Sequence, residues 1–173
     1  MLHHLVNDHI SEAAEIVLNL YLGFRNSNRF VSKSGAPAPP SITTNYDNAF
    51  WRLKPKRLKQ QLFDIISDPR DAYYLPLTVG MLASWKVDGL DTLLLSYLSD
   101  KGITREELDL IDTSQMDYSS YEDVSRELIF TALSGLKHYN SSRVVTAIQK
   151  YANHRDEDIR KCALKSLDYL QKR

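Results

Sequence analysis

The chain of 173 residues has one cysteine, Cys162, so it can form no internal disulfide and hold no cysteine-based zinc site. Glycine and proline number only six each, too few for a fibrous or low-complexity protein. No apolar run approaches the length of about 18 residues that marks a transmembrane helix. The opening MLHHLVNDHISEAAE lacks the basic-then-apolar order and the small-residue cleavage site of a signal peptide. These absences predict a cytoplasmic protein in a reducing setting, away from membranes. The phosphate- and nucleophile-bearing glycine motifs G-x-S-x-G, G-x-G-x-x-G and the Walker loop are missing as well. The five histidines, His3, His4, His9, His138 and His154, form no H-E-x-x-H pattern, and His3, His4 and His9 lack helix-face ligand spacing. Cys162 has no histidine at helical spacing and reads as a small buried or half-buried thiol rather than a nucleophile. No catalytic residue, metal or cofactor is expected.

What is present is an ordinary globular composition, 43% hydrophobic and 25% charged. One domain over residues 1–173 would bury about two-thirds of the surface its unfolded chain exposes. The 22 basic and 22 acidic residues cancel, but they are not evenly spread. Residues 1–98 carry 10 basic and 9 acidic residues, a net of +1. Residues 99–127 carry 3 and 9, a net of −6, and residues 128–173 carry 9 and 4, a net of +5. Opposed fields in one small domain can steer a charged partner. Acidic residues also gather at helix starts, where they suit the dipole. Glu106, Glu107, Glu122 and Asp123 fall at such starts, whereas Asp109, Asp112 and Asp117 do not.

Apolar spacing predicts helices throughout. A first helix over 11–22, with Ala13, Ile16, Val17 and Leu20 on one face, should end at Gly23. Residues 25–48, with Gly35 and prolines at 37, 39 and 40, read as a long loop, because proline lacks the N–H a helix needs and restrains its predecessor. Pro55 opens a helix over 56–67 with Leu58, Leu62, Phe63 and Ile66 on one face. Helices over 73–86 (Leu75, Val79, Leu82 and Ala83 inward) and 90–100 follow, joined by the Asp88-Gly89 turn. The second is apolar nearly all round and should be covered on more than one side. Thr104 and Glu107, then Ser120 and Asp123, form capping boxes for helices over 104–111 and 121–137, the second with Val124, Leu128, Ile129, Ala132 and Leu136 at core spacing. Asn140 or Ser141 can cap a helix over 142–152 with Val144, Val145, Ile148 and Tyr151 inward, and Asp156 or Glu157 begins the last helix, with Ile159, Ala163, Leu164, Leu167 and Leu170 inward. Gly80 and Gly135, inside helices, suggest close helix packing. No strand alternation bounded by hairpin turns occurs. The fold class is all-α, with residues 1–54 irregular and 55–173 built of helical hairpins at a period of about 35 residues.

Residues 156–167 read Asp-Glu-Asp-Ile-Arg-Lys-Cys-Ala-Leu-Lys-Ser-Leu, and Asp123-Val124-Ser125-Arg126-Glu127-Leu128-Ile129 echoes the pattern with its arginine shifted by one. Asp68-Pro69-Arg70 is a fainter echo. The pattern resembles the second helix of HEAT repeats. That resemblance implies about seven to eight helices in antiparallel hairpins, stacked as a short right-handed array, since a lone hairpin cannot bury its apolar face. Stacks of this kind mostly bind other macromolecules.

In size, helical class and charge layout the chain also looks like bacterial immunity proteins, including those of contact-dependent growth inhibition. The likeness implies a non-catalytic inhibitor whose acidic face fills the basic, phosphate-binding groove of a toxin nuclease. The partner-binding residues would be Asp100, Glu106, Asp109, Asp112, Asp117, Tyr118, Tyr121, Glu122 and Asp123. The two tyrosines would be the anchors, since tyrosine is enriched at interfaces. Tyr139, beside a polar segment, has the same composition argument. The competing reading centres on Arg52, Lys54, Lys56, Arg57 and Lys59 beside Trp51, a mixture that suits nucleic acid in a HEAT-like binding or DNA-repair protein. The zero net charge and the acidic middle oppose phosphate binding. A scaffold or adaptor fragment is the third reading, against which the polar ending from Asp168 to Arg173 argues.

Overall fold

The computed structural model describes residues 13–28, 40–99 and 121–172. Among them lie nine α-helices, one short 3-10 turn and no strand. The helices are α1 (Ala13–Asn28), α2 (Pro40–Leu53), α3 (Lys59–Ile66, preceded by the 3-10 turn Lys56–Leu58), α4 (Pro69–Tyr74), α5 (Pro76–Ser84), α6 (Leu90–Tyr97), α7 (Tyr121–Leu136), α8 (Ser142–Gln149) and α9 (Glu157–Gln171). The all-helical class expected from the periodicity therefore holds for the described residues, while the seven to eight helices implied by the resemblance are too few, since nine lie among the described residues alone.

The expected core faces are largely the observed ones. Leu58, Leu62, Ile66, Leu75, Val79, Leu82, Ala83, Val124, Leu128, Ala132, Leu136, Val144, Ile148, Ile159 and Ala163 are all buried. They belong to one continuous core that extends from α1 to α9. The hub is α7, which packs against α4, α5, α6, α8 and α9. The apolar helix α6 buries Leu90, Leu94 and Tyr97 and keeps Leu93, Leu95 and Leu98 half-buried.

Four local expectations are corrected. Gly23 does not end the first helix, which continues to Asn28. The extra turn carries Arg25, whose Nε donates to the buried carboxylate of Asp71 at 2.9 Å, so a tertiary contact outweighs a weak local stop. The loop reading over 25–48 fails at both ends, because 25–28 continue α1 and Pro40 opens α2, and its middle, 29–39, lies outside the described residues. Proline is tolerated there, since the first helical residue has no intrahelical use for its N–H. The helix read over 73–86 starts instead at Pro76 and ends at Ser84, behind a separate short helix, α4, that was not expected, with Leu75 between the two at ψ 50°. Leu164 is not inward but 49% exposed, and Ile16 and Leu20, read on the apolar face of the first helix, are exposed as well.

The two helical glycines differ. A Cβ on Gly135 would come within 2.6 Å of Leu94 Cδ1 and 3.4 Å of Ala83 Cβ, so this glycine does let α7 approach α5 and α6 closely. A Cβ on Gly80 would meet nothing within 4 Å, and the close-packing reading fails there. Gly89, at φ +81°, occupies the left-handed region ahead of α6, where a side chain is strained.

Candidate interaction surfaces

Asp100, Glu106, Asp109, Asp112, Asp117 and Tyr118 lie outside the described residues, as do the helix read over 104–111 and both capping boxes' first members, Thr104 and Ser120. Tyr121, Glu122 and Asp123 stand in the first turn of α7, where negative charge suits the helix dipole. The acidic segment leaves the described structure after α6 and re-enters it at α7, and those two helices pack against each other. Its two ends are therefore tied to one packed unit.

That unit is held by polar contacts between residues far apart in sequence. The Tyr97 hydroxyl donates to the Ile66 carbonyl at 2.8 Å. Burial, and secondarily the charge of Asp71, raises its pKa above the ordinary tyrosine value. The Tyr151 hydroxyl donates to the Leu98 carbonyl at 2.6 Å, pinning the end of α6. Tyr139, considered above as an interface residue, is half-buried and donates to the Val87 carbonyl at 3.1 Å. It ties the end of α7 to the turn ahead of α6. Burial, with the nearby charges of Asp91 and Asp88, raises its pKa too.

The buried and bridging carboxylates are likewise engaged inside the fold. Asp71 accepts from the Tyr21 hydroxyl at 2.8 Å and from Arg25 Nε at 2.9 Å, joining α4 to α1. Asp47 of α2 accepts from the Leu77 amide at 3.0 Å and from the Thr78 amide and hydroxyl at 2.7 Å each. It thus caps α5 from a different helix, in place of Leu75, whose side chain offers no cap. Burial raises the Asp47 pKa, outweighing the hydrogen bonds from Thr78 and Leu77 that pull it down.

Arg126 of α7 donates from Nε to Asp156 Oδ2 at 2.7 Å and from Nη2 to Asp158 Oδ2 at 2.7 Å, and pairs with Glu127 at 3.3 Å. The other oxygen of Asp156 accepts from the amides of Asp158 at 2.9 Å and Ile159 at 3.1 Å, making it the cap of α9 as its sequence position suggests. The Arg126 bond, with the amide of Ile159, holds the Asp156 carboxyl down at about 2. Arg126 and Asp156 belong to the two stretches of similar sequence, 123–129 and 156–167, and their contact joins one stretch to the other.

Two basic surfaces are fully described. Arg52, Lys54, Lys56, Arg57 and Lys59 are all exposed, and Trp51 beside them is 42% exposed. The turn that gathers them is made by Lys54 at φ +44°, where α2 ends and the chain enters Pro55. Arg57 makes an exposed ion pair with Glu15 at 3.5 Å. The second surface is a groove between α7 and α9 with three lysines around it. Among the described residues, no group of three or more His, Cys, Asp or Glu side chains is placed to hold a metal ion. No helix among them is long and apolar enough to cross a membrane.

Comparison with models of protein families, with curated proteins and with solved structures finds no match for this chain.

Proposed function

We propose that this all-helical protein is a non-catalytic inhibitor that binds another protein. In its most specific form it is a cytoplasmic immunity protein that neutralises a toxin nuclease by covering the active site with an acidic face. The observation that carries the reading is the net charge of −6 over residues 99–127, in a segment whose two ends are tied to the packed pair α6 and α7. A dense negative field anchored on a firm base suits rapid capture of a basic, phosphate-binding cleft. The buried carboxylates Asp47 and Asp71 are engaged in holding helices together, which fits a binding role better than acid–base chemistry. The HEAT-like stacking belongs to the same proposal. Its support is the Arg126–Asp156 contact, which links the earlier copy of the repeated pattern to the later one.

The test is capture of a basic toxin from nuclease-treated bacterial lysate on the immobilised protein at moderate salt, followed by titration of the purified pair. Asp117→Lys, Glu122→Lys and Asp123→Lys together should weaken the complex more than tenfold, about 1.4 kcal/mol. An unchanged affinity would remove the acidic segment from the interface.

A second reading is favoured by the exposure of Trp51 amid five exposed cations, a composition that takes a nucleic-acid strand. It predicts oligonucleotide binding that falls steeply with salt and is lost in Arg52→Glu/Lys56→Glu. Absence of binding at low salt rejects it.

A further inference from the structure

The groove between α7 and α9 encloses about 440 Å³, and its lining includes Phe130, Lys137, Lys161, Cys162, Lys165 and Tyr169. Its geometry follows from helical spacing. Lys161, Lys165 and Tyr169 are four residues apart along α9 and form one wall. Phe130, Ser134 and Lys137 run along the facing edge of α7 and its end. Cys162 and Ser166, both buried, form the floor and are already bonded across it. The thiol lies 3.5 Å from the Ser134 hydroxyl, and Ser166 donates to the Leu133 carbonyl at 2.9 Å. The floor therefore has little polar capacity left, while the rim has three ammonium groups.

Those ammonium groups are lightly held. Among the described residues Lys137 and Lys165 have no ion-pair partner, and Lys161 pairs with Glu157 at 2.6 Å in an exposed contact of a kind that contributes little. The carboxylate that also lines the groove, Asp158, is drawn off by Arg126 at 2.7 Å. What remains is a positive trough with an apolar base.

We propose that this groove docks an acidic peptide segment of a partner protein, with carboxylates one helical turn apart meeting Lys161 and Lys165. Residues four apart on a helix are separated by about 6 Å along its axis, on the peptide as on α9. The charges are complementary and their spacing matches. A nucleic-acid strand fits less well, because stacking a base needs an open ring face. The Tyr169 ring carries Lys137 Nζ at 5.8 Å from its centroid and His138 edge-on at 5.7 Å. The groove is distinct from the acidic segment and does not depend on its role.

The experiment is fluorescence anisotropy at low salt with the full chain and a labelled alanine-based helical peptide carrying glutamates four residues apart. The same peptide with glutamine is the control, and a single-stranded oligonucleotide is the rival ligand. The glutamate peptide should bind and the glutamine peptide should not. Lys137→Glu, Lys161→Glu and Lys165→Glu together should weaken binding more than tenfold, whereas Lys→Arg at the same positions retains it and Lys150→Glu leaves it unchanged. Circular dichroism and melting of the variants establish that each is folded. No binding of the glutamate peptide, or binding indifferent to the three reversals, overturns the proposal. So does an oligonucleotide that binds through the same lysines, or a concentration-dependent dimer that the reversals abolish, which would make a second copy the occupant.

Discussion

Arg126 and Asp156, 30 residues apart, meet at 2.7 Å, and the carboxylate that accepts from the arginine also caps the last helix. One contact thus fixes both where α9 begins and how it sits against α7. Because Asp156 has a folded pKa of about 2, below the value of about 3.9 expected unfolded, the unfolded chain binds the extra proton between those values. Its contribution to stability is present above about pH 4 and is lost as pH falls towards 2. Asp156→Asn should flatten that part of the stability-against-pH curve. Chemical denaturation of both proteins from pH 2 to 6 checks this, and parallel curves would refute it.

Asp47 should behave in the opposite sense. Burial raises its pKa, so the folded state binds a proton more readily than the unfolded one, and this carboxylate's contribution is full below the ordinary aspartate value of 3.8 and declines as pH rises above it. An NMR titration should find it protonating above the ordinary aspartate range. Asp47→Ala strands the buried Thr78 amide and hydroxyl and should cost about 2 kcal/mol or more. A loss under 0.5 kcal/mol, roughly the size of a neutral surface change, would show that water replaces the cap.

Gly135 and Gly80 make a paired prediction. Gly135→Ala pushes a methyl group to 2.6 Å from Leu94 Cδ1 and should destabilise by about 1–3 kcal/mol. Gly80→Ala adds its methyl in open space within a helix and should stabilise by up to about 1 kcal/mol. Thermal melts of the two variants would show shifts of opposite sign.

Tyr139→Phe removes the hydroxyl that bonds the Val87 carbonyl while keeping the ring. It should lower stability by about 1 kcal/mol without altering partner binding. A larger loss of binding than of stability would return Tyr139 to the interface.

Much of the fold was legible because its signals are local. Leu58, Leu62 and Ile66, or Val144 and Ile148, repeat at helical spacing, so their burial on one face follows from sequence alone. Ser141 and Asp156 cap the helices that follow them through neighbouring amides, again within reach of local reasoning. The basic cluster around Trp51 was visible for the same reason, since its cations are adjacent in the chain.

The sequence by itself thus determined the helical class, most core faces, the acidic and basic blocks and the two neighbouring candidates for each of two caps, since each depends on spacing within a few residues. Only the tertiary structure decided that α1 passes through Gly23, that α2 begins at Pro40, that Asp47 caps α5 from another helix and that Leu164 faces outward. It also brought Lys137 and Lys165 to one groove. Local preferences amount to about 1 kcal/mol per residue or less, and contacts between residues 28 to 50 apart, as in Ser134–Cys162 and Tyr21–Asp71, exist only once the helices have packed.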